Sequence, residues 1–102
     1  MKLTIKDRIV LPEILPQQGN MIEMLVADSI TKKTRFTARE VTDFKLCQKG
    51  ETLTWDENVD TDVEIDFEQS EVNLLKEQLR KLDEEKRISN RIFGLCVKIR
   101  DL

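Results

Sequence analysis

Residues 68–102 read EQSEVNLLKEQLRKLDEEKRISNRIFGLCVKIRDL, and this stretch decides the fold class. Apolar residues recur in it every three or four positions, first over 72–82 and then over 92–102, which places each run on one face of a helix. The two stripes consist of Val72, Leu75, Leu79 and Leu82, followed by Ile92, Leu95, Ile99 and Leu102. Because residues 83–87 form only a short connection, the sequence predicts a C-terminal antiparallel helical hairpin.

Capping patterns mark where helices begin. The first amides of a helix lack partners, and a Ser, Thr, Asp or Asn side chain satisfies one of them. Thr37 followed by Glu40 predicts a capping box, and Ser89 stands before the last stripe. Two further pairs, Thr4 with Asp7 and Asn20 with Glu23, predict N-terminal helices. The helix that begins at Asn20 is expected to fray over 31–34, where β-branched residues gather.

The centre of the chain changes to a period of two. Apolar residues alternate with polar ones, which is typical of half-buried strands: Phe44 and Leu46, then Leu53 and Trp55, then Val63, Ile65 and Phe67. Residues 49–51 around Gly50 fit a hairpin turn. We therefore predict a single α+β domain over 1–102, with N-terminal helices, a three-stranded antiparallel β-meander, and the C-terminal helical hairpin packed on that sheet.

The charges of the chain are segregated. The formal net charge is −3, but residues 1–49 carry nine Lys/Arg against six Asp/Glu, and 76–102 carry eight against five. Residues 50–75 carry nine Asp/Glu and no basic residue. A surface of this kind repels nucleic-acid phosphates, so the sequence disfavours nucleic-acid binding.

Catalytic, cofactor and metal sites find little support. The chain has no histidine, so a general base near neutral pH would require a strongly shifted Asp, Glu or Lys. Its three glycines are isolated, which excludes a phosphate-binding loop. The two cysteines, Cys47 and Cys96, lie outside any C-x-x-C motif and are expected to be free thiols packed inside the protein. We predict a non-enzymatic protein without cofactor or metal.

The acidic stretch after Trp55 is the candidate partner-binding site. Its first residues resemble a calcium-binding loop, but Thr61 stands where that loop needs glycine, and Phe67 where it needs a bidentate glutamate. The candidate residues are Trp55, Asp56, Glu57, Asp60, Asp62, Glu64 and Asp66. Two alternatives stay open: the acids offset the basic flanks within the fold, and Trp55 belongs to the core.

Several short motifs occur in a particular order along the whole chain. They are Ile5-Lys6-Asp7-Arg8, Leu15-Pro16 with Gly19-Asn20, Phe36-Thr37-x-x-Glu40, Thr54-Trp55, and Lys81-Leu82-Asp83-Glu84-Glu85-Lys86. In this order the chain resembles small proteins of unknown activity encoded by tailed phages and prophages. The resemblance implies a setting, expression inside a bacterial cell, and no functional residues.

Together these observations predict a small intracellular interaction protein that binds a protein partner, with the acidic face as the candidate binding surface. The alternatives are a minor structural or assembly component of a phage particle and, third, a catalytic role. No apolar run reaches the roughly 18–20 residues of a membrane span, and no apolar signal segment opens the chain. We expect a cytoplasmic monomer or homodimer.

Overall fold

The computed structural model describes all residues, 1–102, and shows an α+β chain of five helices and two small antiparallel sheets. Each sheet has two strands. In chain order the elements are β1 (Lys2–Leu3), α1 (Ile5–Val10), α2 (Met21–Thr34), α3 (Ala38–Asp43), β2 (Cys47–Lys49), β3 (Thr52–Thr54), β4 (Val63–Glu64), α4 (Gln69–Glu84) and α5 (Asn90–Arg100). A short 3-10 helix, Leu11–Glu13, follows α1 directly.

The capping patterns locate the helix starts correctly. The Thr4 hydroxyl accepts a hydrogen bond from the amide of Asp7 at 3.0 Å, and the Asp7 carboxylate accepts one from the amide of Thr4. Thr37 and Glu40 exchange the same two bonds at the start of α3. Ser89 lies at the N-cap of α5, although its side chain makes no capping bond.

The predicted three-stranded meander is wrong. The hairpin turn at Gly50 does join β2 to β3, and Gly50 has the positive φ of 62° that such a turn requires. The third strand, β4, pairs instead with β1, where Leu3 lies opposite Val63. The chain start holds this register, because the Met1 ammonium donates to the carbonyl of Ile65 at 2.9 Å and the Ile65 amide donates back to Met1 at 3.0 Å.

The C-terminal helices do not pack on a three-stranded sheet. Helix α4 packs between α2 and α5, and α5 packs in turn on α1, so the core is largely helical. The predicted stripes supply much of it, since Leu75 and Ile99 are fully buried and Leu95 almost so. Leu79 and Leu82 are only partly buried, and Leu102 is exposed. Some positions of the stripes are therefore buried in the core, and the others are partly or fully open to solvent.

Helix α2 continues through Thr34, beyond the point where fraying is expected. The hydroxyls of Thr31 and Thr34 donate to carbonyls one turn earlier, at 3.0 Å each, and Thr34 is buried. Arg8 also donates to the carbonyl of Thr34 at 3.0 Å, and Lys33 pairs with Glu71 on α4. These tertiary contacts outweigh the weak helix propensity of β-branched residues. No helix of the chain has the length and apolar character needed to cross a membrane.

A buried arginine ties the N-terminal helices together. The Arg8 guanidinium forms two bonds with the Glu40 carboxylate, at 2.5 and 2.9 Å, and donates to the carbonyls of Thr34 and Arg35. It also lies 4.3 Å from the ring centroid of Phe36, within cation–π range. The hydrogen bonds from Arg8 outweigh partial burial and lower the pKa of Glu40 to about 2.

A second buried carboxylate joins α2 to α4. Glu71 is almost fully buried and accepts hydrogen bonds from Ser29 at 2.8 Å and Lys33 at 2.5 Å. The backbone amide of Glu68 donates to the same carboxylate at 2.8 Å, so this amide has a hydrogen-bond partner at the start of α4. Burial raises the pKa of Glu71, but these three bonds outweigh it, and the pKa lies below its ordinary value.

Candidate functional site

The acidic segment, defined here as residues 56–66, runs from the end of β3 to the residues just after β4. Both of its ends are fixed by backbone hydrogen bonds, from Asp56 to the carbonyl of Phe44 at 2.9 Å and from Ile65 to Met1 at 3.0 Å. Between them Asp56 accepts a bond from the amide of Asn58, and Asp60 accepts one from Asp62, each at 3.0 Å. Such local turns keep the backbone of the segment ordered on the surface.

Two of its carboxylates are paired within the chain. Asp56 lies 3.8 Å from the ammonium of Lys45, and Glu64 lies 2.8 Å from the Met1 ammonium. These two contacts are the internal compensation that the alternative interpretation of the sequence expects. They occur at the two ends of the segment, next to the sheets.

Four carboxylates carry no ion pair. Glu57, Asp60, Asp62 and Asp66 are all exposed and have no basic side chain within 4.0 Å. Lys33 does approach Asp66, but it donates to the backbone carbonyl at 3.1 Å rather than to the carboxylate. The apolar side chain of Val59 is also exposed in the middle of this set. The segment therefore offers uncompensated negative charge with an apolar residue at its centre.

Trp55 precedes the acidic segment and lies just outside β3. It is half-buried, whereas the nearby Phe44 is buried. The tryptophan thus belongs neither wholly to the core nor wholly to the surface. Part of the indole is therefore open to solvent beside the acids, while the rest is packed in the fold.

The acids of the segment do not converge on one point. No group of three His, Cys, Asp or Glu side chains anywhere in the chain lies close enough to hold a metal ion. The turn bonds at Asp56 and Asp60 direct a carboxylate oxygen of each residue to the backbone. What the arrangement can do chemically is attract and hold cationic groups.

The two cysteines occupy different environments and are not bonded to each other. Cys96 is buried on α5, as expected, but Cys47 is exposed on β2, so the expectation that both thiols are packed is wrong for Cys47. Burial raises the pKa of the Cys96 thiol, which keeps it protonated and unreactive near neutral pH.

Comparisons of the chain with family models, with curated proteins and with solved structures found no match.

Two apolar surfaces that the sequence interpretation missed remain open to solvent. On α2, Met21 and Ile22 are each 74% exposed and Leu25 is 61% exposed. On α5, Phe93 is 59% exposed and lies at a cavity of about 550 Å³ between α4 and α5. Period alone could not reveal them, because Met21 and Leu25 follow the same helical rhythm as the buried positions.

Proposed function

We propose that this chain is a non-enzymatic interaction protein that binds a basic surface of a protein partner through its acidic segment, and in particular through the tip of that segment, defined here as residues 57–62. The observation that supports this most directly is the set of four exposed carboxylates, Glu57, Asp60, Asp62 and Asp66, that have no ion-pair partner in the fold. Trp55 and Val59 add apolar contact area beside them.

The physical basis is electrostatic. Like charges held together on a surface raise the energy of the free protein, and a basic partner relieves that repulsion on binding. Complementary charge also accelerates encounter and excludes acidic surfaces. Nucleic acids have the wrong sign for this site, so the proposed partner is a protein.

The cellular setting is proposed from the sequence resemblance. We propose expression from a phage or prophage genome and action in the cytoplasm of the bacterial host. Free thiols at Cys47 and Cys96 agree with a reducing compartment.

Affinity purification from cells that express the chain naturally tests the proposed site. The test variant is Glu57→Gln/Asp60→Asn/Asp62→Asn, which removes three unpaired charges at the tip. The matched control, Asp43→Asn/Glu51→Gln/Glu85→Gln, removes three exposed charges outside the segment. We expect a partner enriched in Lys and Arg to be captured by the wild type and the control, and lost with the test variant or at high salt.

The same set of captured proteins from all three chains would contradict the proposed site. So would a partner whose recovery is unaffected by salt, because an exposed charged contact is screened at high ionic strength.

A role as a minor structural or assembly component of a phage particle is the second candidate. The observation that favours it is the pair of exposed apolar surfaces on α2 and α5, which suit contacts between subunits. Mass spectrometry of purified particles distinguishes the two roles. A stoichiometric amount of the chain in the particle supports the structural role, and its absence supports the intracellular binder.

A further inference from the structure

The first half of α2 exposes an apolar ridge, defined here as Met21, Ile22 and Leu25. The three side chains lie one, three and four positions apart, so they share one side of the helix. Each is more than half exposed, although residues of this type are usually buried. Asp28, one turn beyond Leu25, ends the ridge with a negative charge.

The outer side of the α4–α5 pair forms an apolar groove. Its floor and walls are made of Leu79, Ile88, Phe93, Cys96 and Val97, and its volume is about 550 Å³. Phe93 is the most exposed of the large apolar residues of the groove. The groove is open along its length, which suits the side of a helix rather than a small enclosed ligand.

The groove has a cationic end and an acidic end. Lys76 and Arg100 lie at the first, where Lys76 also donates to the backbone carbonyl of Leu102. Arg100 uses only its Nε in a bond to Asp101, which leaves its other nitrogens free. Arg80 also lines the groove, but its charge is compensated by Glu77 and Glu84. Asp83 lies at the second end, near the connection to α5.

We propose that the ridge of one copy of this chain docks in the groove of a second copy. The lengths agree, because Met21 and Asp28 are seven residues apart on α2, as are Lys76 and Asp83 on α4, and each spacing covers about 10 Å of helix. The charges agree in one orientation. Asp28 then meets Lys76 and Arg100, and the positive end of the α2 dipole points to Asp83.

In this orientation α2 of one copy runs antiparallel to α4 of the other. The Asp28–Lys32 ion pair does not prevent the contact, since both side chains are exposed and such pairs are weak. Ridge and groove are different surfaces. The contact either occurs twice in a two-fold symmetric dimer, or it is heterologous and then closes into a ring or extends into a chain of subunits. The acidic segment takes no part in it.

Sedimentation analysis of the purified chain between about 10 μM and about 1 mM tests the proposal, since a contact of this small area is expected to be weak. The ridge variant is Ile22→Ser/Leu25→Ser, and the groove variant is Phe93→Ser. Each is expected to weaken association roughly tenfold or more through loss of apolar burial. Val41→Ser removes an exposed apolar residue from α3 and is expected to leave association unchanged.

Mixing the two variants gives the decisive result. The ridge variant keeps an intact groove and the groove variant an intact ridge, so the mixture is expected to form a dimer of two 12.0 kDa chains at concentrations where each variant alone stays monomeric. Asp28→Lys and Lys76→Glu form a second pair with the same expectation. All these positions are exposed, so we expect the folds to persist, and circular dichroism checks this.

A wild type that stays monomeric at every concentration overturns the proposal. Association that persists in both variants overturns it as well. So does a mixture that fails to restore association, because that result shows that the intact ridge of one variant does not bind the intact groove of the other.

Discussion

Replacement of Glu40 by glutamine tests the buried cluster around Arg8. The carboxylate has a folded pKa of about 2, against 4.5 for the free side chain, and its side chain is only 17% exposed. A difference of this size corresponds to at most roughly 3 kcal/mol of free energy of unfolding. Because the folded pKa is lowered, this stability is fully present above pH 4.5 and is lost as the pH falls towards 2.

Urea unfolding of the wild type and of Glu40→Gln measures this contribution. Glutamine still offers a carbonyl to Arg8 but removes the charge, so we expect a loss of about 2–3 kcal/mol near neutral pH. Between about pH 7 and about pH 3 the difference between the two proteins is expected to shrink by about 2 kcal/mol, because the unfolded carboxyl takes up its proton in this range.

Glu13→Gln is the control for this experiment. Glu13 pairs with Arg91 at 2.8 Å, but both side chains are about half exposed. The substitution is therefore expected to lower the free energy of unfolding by less than about 1 kcal/mol. The assignment of this stability to the Arg8–Glu40 pair is refuted if Glu40→Gln lowers the free energy of unfolding equally at both pH values, or by no more than Glu13→Gln does.

Three further substitutions or modifications give independent checks. Gly94→Ala is expected to raise the free energy of unfolding by about 0.5–1 kcal/mol, because a Cβ at Gly94 meets no atom within 4 Å; a loss of stability in urea would contradict this. Leu75→Ala is expected to lower it by about 2–5 kcal/mol, since Leu75 is fully buried in the core, and a urea midpoint like that of the wild type would place Leu75 outside it. A colorimetric thiol reagent is expected to modify only Cys47 in the native protein, and Cys96 only after unfolding; rapid reaction of both would show that α5 is not packed as described.

Helix starts could be predicted from the sequence because their causes are local. The side chains of Thr4, Asn20 and Thr37 each accept a hydrogen bond from the backbone amide of the residue three positions later. This bond needs no other part of the fold. The period of α4 and α5 was equally informative, because burial of one helix face imposes a repeat of 3.6. These two signals account for all five helices.

The sheet pairing depends on contacts that are distant in sequence. Strand β1 has only two residues, which is too short for an alternating pattern to be recognised. The pairing is held by Leu3, which is fully buried, and by bonds between Met1 and Ile65. No local rule connects residues 2–3 with residues 63–64, and so the three-stranded meander was inferred from adjacency in the chain.

The same distinction applies to the candidate site. The sequence predicts an acidic surface, but it does not tell which acids are compensated. Both cations that pair with the segment, Lys45 and the Met1 ammonium, come from outside it. Lys33, which also lies nearby, is used by Glu71 on α4. Only the fold shows that Asp56 and Glu64 are paired, whereas the carboxylates of the tip are not.

This division bears on the two interpretations of the acidic block. If the acids served only to balance the basic flanks, the folded chain would place cations along the whole segment, including the tip at Glu57, Asp60 and Asp62. The cations are instead found on Asp56 and Glu64 or on buried Glu71. Folding therefore leaves Glu57, Asp60 and Asp62 without an ion pair, and the proposed binding of a basic partner rests on this observation.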